Sequence, residues 1–521
     1  MRSSGNTAGH ALSSLVSACR QQKASSLFVT RATTTEYESM EVPWRDMKEP
    51  RINLVVKFGG SSVATAERMR EVAQIICGFK DTMPMVVLSA MGKTTNLLLQ
   101  AGSEALHTSP KSVGSLQPLR AIKELHRETA TVLGVDNDTK DEMESLLLQL
   151  TQLLVGISIM QDLTPRAKDS LVSFGERLST RLFASYLRAH GIPASQYDAP
   201  EVGVITNDNF TNADVDYPAT LEALRASFSD HMSGKKCEVA VVTGFLGRGA
   251  CTGAITTLGR GGSDLTCTLL GAALNLEEVQ VWKDVDGVLT SDPRIVDGAR
   301  PVDFLTFEEA TELAFFGATV LHPLSMQPAA EYCHDTNMGV RVKNSYNPLA
   351  PGTLISKERD MDDALVTSIV LKQHVTLVDI VSTRMLGQIG FLARVFEIFN
   401  NEGLSVDVVA TSEVSLSLTL DPAKTLWERD LIDEELEALM QAFQGVAKTS
   451  YRRGYSILSL ICNVKRTSEI LERVFRVLGR QGINVQMMSQ GASKTNIALI
   501  LNDSQATHAL HALHKEFFGS S

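Results

Sequence analysis

Residues 52–63 read INLVVKFGGSSV. The run is apolar, carries one lysine at its end, stops on a glycine pair and continues into two serines. A strand ending on glycines can turn its backbone tightly around something, and Lys57 at the last step points to an anion. Working outward, further short apolar runs follow: MVVLSA (85–90), VAVVTGF (239–245), VQVWKDV (279–285) and VRVKN (340–344). Amphipathic stretches such as AERMREVAQIICGF and DLTCTLLGAALN lie between them. Short strands alternating with helices predict an α/β fold, a mostly parallel sheet flanked by helices. The polar, helix-periodic segment 112–168 predicts a helical excursion at the sheet's edge.

Four glycine-rich turns follow predicted strands: KFGGSS, LSAMGKTTN, TGFLGRGA and TTLGRGGSDLT. None completes a standard nucleotide motif. In SAMGKTTN (89–96) the earlier glycine of a P-loop falls on Val87, inside a strand. GFLGRGA (244–250) lacks the spacing of a dinucleotide fingerprint. One glycine turn is only a turn. Four of them at the carboxyl ends of strands, three carrying Lys57, Arg248 and Arg260, converge on one anion-binding crevice, and GGSDLT opens a helix whose N-terminus favours an anion.

The chain has 521 residues, is 44% hydrophobic and 21% charged, and carries a net charge of −11. That length holds several domains, and that charge argues against nucleic acid as the main partner. Its seven cysteines form no CxxC pair, so neither a zinc site nor a disulfide frame is indicated. No run of 18 apolar residues occurs, which argues against a membrane span. Up to Thr35 there is no acid, while Arg2, Arg20, Lys23, Arg31 and seven serines fill the stretch. That composition predicts an organelle transit peptide, plastid over mitochondrion because serine outweighs arginine. A disordered tail has the same composition.

NPLAPGTLI (347–355) closes the first region, and an internal repeat follows. FLARVFEIFNNEGLSVDVV (391–409) returns as ILERVFRVLGRQGINVQMM (470–488), with Arg394, Val395, Phe396, Gly403 and Val406 matched by Arg473, Val474, Phe475, Gly482 and Val485. A strand precedes each copy and a glycine ends each helix, which predicts two βαββαβ units.

KFGGSS, SFGERLS (173–179), GRGGSD (259–264), WKDVDGVLTSDPR (282–294) and FGATVLHP (316–323) resemble, in order, the motifs of aspartate kinases of the amino acid kinase superfamily. The resemblance covers about residues 51–520. VRVKNSYNP, Lys283 and the leader resemble the plant and algal monofunctional form, and the C-terminal pair resembles ACT domains. The resemblance implies a transit peptide and linker over 1–49, a catalytic domain over 50–358, a first ACT domain over 374–450, and a second built from 364–373 plus 451–521.

It also implies ATP-dependent phosphorylation of the L-aspartate side-chain carboxylate, the first step of lysine, threonine and methionine biosynthesis. ATP would come with Mg²⁺, with no permanently bound cofactor. Lys57 would bridge the phosphates, Gly59, Gly60 and Ser61 would offer donors, and Asp264 would orient Lys57 or hold Mg²⁺-ATP. Lys283 and Asp284 of KDVDG would lie under the nucleoside, with Arg294 reaching the phosphates. Two family nucleotide contacts do not carry over, at Leu289 and Thr319. Arg260 and Glu176 fit a substrate carboxylate and α-ammonium, and Ser89, Thr95 and Ser263 align with further substrate contacts. Glu176 alone could equally be a helix N-terminal acid or a partner of Arg177. His322 reads as structural.

In lysine-sensitive members the positions matching Met385, Gly390, Phe391, Val406 and Asp407 line the inhibitor site. Asp407 and Glu413 are acids suited to a cationic side chain. Gln486 replaces Asp407 in the second unit, which is expected to dimerise instead. A homodimer or higher homo-oligomer in the plastid stroma follows. Two alternatives stay open: another carboxylate kinase, such as one for glutamate, and a non-catalytic amino-acid sensor.

Overall fold

The computed structural model describes Trp44 and residues 50–79, 82–316, 321–333, 336–359, 365–382, 389–412, 414–420, 433–491 and 494–519. The leader, the linker apart from Trp44, Thr319, Met385 and Glu413 lie outside these residues. Trp44, within the segment assigned to the linker, is 1% exposed.

The catalytic half is built on β1 (Ile52–Phe58), β2 (Met83–Leu88), β3 (Ala194–Tyr197), β4 (Ile205–Thr206), β5 (Val239–Thr243), β6 (Leu246–Gly249), β7 (Ile255–Thr257), β8 (Glu278–Lys283), β9 (Phe304–Thr306), β10 (Gly339–Asn344) and β11 (Thr353–Ser356). Eight of them form one sheet in the order β3-β5-β2-β1-β8-β10-β11-β9, and β4, β6 and β7 form a small second one. Only β10 and β11 pair antiparallel within the large sheet; its other pairs are parallel. The central strands are buried on both faces, and so their sequences read as unbroken apolar runs.

Helices α1 (Ala66–Cys77), α2 (Thr94–Ala105), α3 (Gln117–Leu133), α4 (Asn137–Met160) and α5 (Pro165–Ala189) follow the first strands, with α3 and α4 forming the expected excursion. By length and composition α4 could cross a membrane. Its Met143, Leu146, Leu147, Leu150, Leu154 and Ile157 are instead buried, and it packs on α5 and α2. Helix α6 (Gly262–Ala273) is buried along its whole length. Each large aliphatic side chain it encloses contributes roughly 1.5–3 kcal/mol. Helices α7 (Phe307–Phe315) and α8 (Pro323–Glu331) follow, and α8 packs on α6.

The C-terminal half is a single six-stranded antiparallel sheet of β12 (Val366–Val381), β13 (Val406–Thr411), β14 (Ser415–Leu420), β15 (Lys448–Cys462), β16 (Met487–Gln490) and β17 (Asn496–Asn502), in the order β13-β14-β12-β15-β17-β16. Helices α9 (Phe391–Asn401), α10 (Asp433–Ala442), α11 (Thr467–Arg480) and α12 (Asp503–Phe518) accompany it. The two repeats interleave. The first half of β12 pairs with the end of β15, its second half with the start of β15, and the break falls at His374, whose φ is +62°. The matched glycines Gly403 and Gly482 have φ of +64° and +66°, a left-handed exit that explains why glycine recurs there.

Candidate active site

The carboxyl ends of β5, β2, β1 and β8 stand side by side, and the ladder continues into their loops. The amide of Gly244 donates to Leu88 O (2.9 Å), that of Ser89 to Phe58 O (3.3 Å), and that of Gly59 to Trp282 O (3.3 Å). Over these ends opens a cavity of about 370 Å³, lined by Lys57, Gly60, Ser89, Ala90, Gly92, Thr95, Glu176, Phe245 and Gly259–Asp264. A larger groove, about 560 Å³, lies between α7, α8 and Lys494–Thr495. We place the chemistry in the smaller one, because it alone joins strand ends, a helix N-terminus and buried charges.

Gly60 is required by contact. A β-carbon there would stand 2.8 Å from Ala90 O, and the Gly92 amide donates to Gly60 O at 3.0 Å. The two glycine loops therefore touch through backbone alone. Helix α6 enters the cavity from Gly261, at φ +73°, with no side-chain cap on its first turn, which leaves the positive helix end to a ligand.

Asp264, in that first turn, is buried. Its carboxylate lies 2.5 Å from Lys57 Nζ and 3.4 Å from Lys283 Nζ. Burial alone would raise the pKa of Asp264; the Lys283 and Lys57 ammoniums outweigh it and hold the carboxyl below its usual range. Burial pushes Lys283 down, against the pull of Asp264. Two ammoniums fixed by one acid at a helix N-terminus make an arrangement whose charge favours an anion.

Glu176 sits midway along α5 and is buried, so the helix N-terminal reading fails. The Arg177 reading fails too, since Arg177 pairs with Asp198 at 3.5 Å. Glu176 Oε1 accepts from the Ala90 amide at 3.1 Å, while Oε2 is buried without a hydrogen-bond partner among the described residues. Burial pushes its pKa up to about 7, against the opposing pull of the Ala90 amide and Lys57. Ser89 Oγ donates to Ser263 Oγ at 3.0 Å, which joins two more of the expected residues.

Lys57, Gly60, Ser89, Thr95, Glu176, Arg260, Ser263 and Asp264 thus meet in one cavity, with Lys283 reached through Asp264 and Gly59 3.8 Å from Lys57 Nζ, measured from where its β-carbon would lie. Ser61 and Asp284 are exposed. Arg294 is not brought in; it is 83% exposed and paired with Asp292 at 2.7 Å. Sequence reading missed Phe245 and the Ser345 hub. Ser345 meets Ser62 Oγ (2.8 Å), the Lys283 carbonyl and Arg68, and Arg68 stacks 3.6 Å from the centre of the Tyr346 ring. The hub follows the end of β10, where NSYN could have signalled a fifth loop.

In the regulatory half, Gly390 caps α9 at φ +85°, Phe391 is buried and Val406 packs against the first unit's core. The Asp407 side chain is 2% exposed, and its carboxylate accepts from Lys372 Nζ at 2.8 Å. Gln486 is exposed.

Residues 53–344 match the amino acid kinase family and residues 459–517 match an ACT domain. The match over residues 53–344, together with a cavity at the strand ends, places the protein in the class of amino acid kinases. The chain is 54% identical to aspartokinase 1, chloroplastic, of Arabidopsis thaliana over 94% of this chain and 84% of that one. It is 34% identical to lysine-sensitive aspartokinase 3 of Escherichia coli over 89% and 99%. A solved structure of E. coli aspartokinase III in complex with aspartate and ADP superposes with a TM-score of 0.74 at 34% identity, covering 89% of this chain and 99% of that one. The chain belongs to the aspartokinase family.

Proposed function

We propose that this chain transfers the γ-phosphoryl group of ATP to the side-chain carboxylate of L-aspartate, giving 4-phospho-L-aspartate. The observation that carries the reading is Glu176. Its buried, unpartnered oxygen shares a cavity with Arg260, a pair that suits the ammonium and carboxylate of one small amino acid. Phosphates meet Lys57, Lys283 and the first turn of α6, where charge developing on the transferred group is stabilised without reorganisation. The attacking carboxylate is already ionised at neutral pH, so no general base is required.

A Mg²⁺ ion arriving with the nucleotide would rest on phosphate oxygens, with Asp264 the acid at hand, and would supply further charge neutralisation. The E. coli structure with aspartate and ADP supports the substrate pair. ATP turnover with L-aspartate and L-glutamate tests the reading. Preference for glutamate would make this another carboxylate kinase, and no turnover with either would leave an amino-acid sensor.

Lysine feedback through the first ACT unit belongs to the same proposal. It is supported by the acid at Asp407 and by an E. coli aspartokinase III structure in complex with lysine and aspartate, of TM-score 0.72. The domain division set out above, an ACT-mediated dimer and a plastid location complete it. For the last, the Arabidopsis relatives are chloroplastic.

A further inference from the structure

The acid expected to receive a lysine ligand already holds a lysine of the chain. Lys372 Nζ lies 2.8 Å from Asp407 Oδ2, and the two side chains are 13% and 2% exposed. The same Nζ lies 5.3 Å from the centre of the Phe315 ring, the last residue of α7 in the catalytic half. Near its other end α7 is tied to the same strand: Thr367 Oγ1 donates to buried Glu309 Oε1 at 2.9 Å, and Arg359 bonds that oxygen at 2.8 Å. A single helix is thus held to β12 at two points, one of them through an ammonium.

Helix α7 also leads towards the substrate loop. Past it, His322 opens α8 and packs against the loop that carries Arg260. A β-carbon on Gly261 would stand 2.5 Å from His322 Cβ. Ser325 Oγ donates to His322 O at 2.6 Å, and Thr268 Oγ1 of α6 donates to Ser325 O at 2.6 Å. Neighbouring contacts therefore run from Asp407 through Lys372 to Phe315, and from His322 to Gly261.

We propose that Lys372 stands in for the effector: a lysine ligand docking its ammonium on Asp407 displaces Lys372, which frees Phe315 and shifts α7 relative to the Arg260 loop. This rests on the reading of the first ACT unit as a lysine site. Lys372 Nζ already occupies Asp407 Oδ2 with both side chains largely covered, so the ligand's ammonium and Lys372 compete for that carboxylate, and the ligand's preference for the displaced state drives the change. Contiguity alone does not establish coupling, so the test reads binding and inhibition separately.

The full chain is titrated with L-lysine by calorimetry, and its inhibition is measured at fixed aspartate and ATP, for wild type and for Asp407→Asn, Lys372→Met, Lys372→Arg and Phe315→Ala. Removing the competitor in Lys372→Met should tighten lysine binding by about tenfold, the worth of one charge-assisted hydrogen bond. Maximal inhibition should nevertheless fall. Lys372→Arg should restore competition, and Phe315→Ala should keep lysine binding within about twofold while losing inhibition. The Phe315 and Lys372→Arg arms decide the matter should Lys372→Met fail to fold. Absence of lysine binding to wild type would sink the lysine-site reading and this inference with it. Lysine binding that Asp407→Asn weakens but Lys372→Met leaves unchanged or weaker would overturn the displacement alone.

Discussion

Asp264 and Asp407 both hold a lysine ammonium on a covered carboxylate, yet their surroundings set opposite tasks. Asp264 has two ammoniums, Lys57 and Lys283, at the mouth of a helix whose positive end is uncapped. The excess there is cationic, and on the proposed reading an incoming polyphosphate would add to an arrangement that need not move. Asp407 lies on an edge strand against the side chain of Lys372, where an incoming ammonium competes with what is present. A site with surplus charge of one sign binds by addition, and one near balance binds by exchange. Catalysis wants the first and regulation the second.

The comparison breaks first at Lys57. We expect Lys57→Ala to lower kcat by at least ~10²-fold, since one preorganised charge on the transferring phosphoryl is worth a few kcal/mol. Near-normal turnover would remove Lys57 from the mechanism. On the regulatory side, Asp407→Asn should raise the inhibitory lysine concentration roughly 10- to 100-fold, from the loss of a charge-assisted contact, with uninhibited kcat little changed. Full sensitivity in that variant would end the account of Asp407.

Glu176 sharpens the catalytic half through pH. Its folded pKa is raised to about 7 from 4.5, so burial of the carboxyl costs nothing below pH 4.5 and destabilises the fold increasingly as pH rises through 7. Glu176→Gln should therefore raise the melting temperature at pH 8 more than at pH 5, by on the order of 2–3 kcal/mol in stability. In wild type, aspartate KM should rise as pH falls below 7, because the protonated acid no longer pairs with the α-ammonium. A KM flat from pH 6 to 8 would contradict the role. A chain starting after Trp44 should lose a few degrees of melting temperature relative to one starting before it, as burial of a tryptophan is worth about 3 kcal/mol or more; equal melting would show that Trp44 adds nothing. The smallest effect belongs to Gln486, exposed in the second unit: Gln486→Ala should leave lysine inhibition within about twofold.

Much of this was legible in the sequence because the signals were local. The strand runs around Lys57, Val87 and Val241 are largely apolar blocks, as strands buried on both faces require. Gly60 and Gly261 announced close approaches, to Ala90 O and to His322 Cβ, that a β-carbon would forbid. Long-range choices left less trace. Nothing near Arg294 says that its guanidinium turns to Asp292, and nothing near Asp407 says that a lysine 35 residues earlier occupies it. The short edge strand Ala194–Tyr197 has too few apolar residues to stand out, and the Ser345 hub becomes visible only when β8 and β10 are side by side.

The interleaving of β12 and β15 also governs how the regulatory half can be made. Val381 faces Lys448 while Val366 faces Cys462, so closing this pair must wait for most of the half to be synthesised, a high contact order that slows folding. Neither repeat is a separable module. A fragment beginning at residue 374 would keep the first unit's helices but lose the strand that covers the end of β15, exposing a long apolar edge of the kind that pairs with other chains. Expressed alone, such a fragment should aggregate, whereas one beginning at 364 should stay in solution.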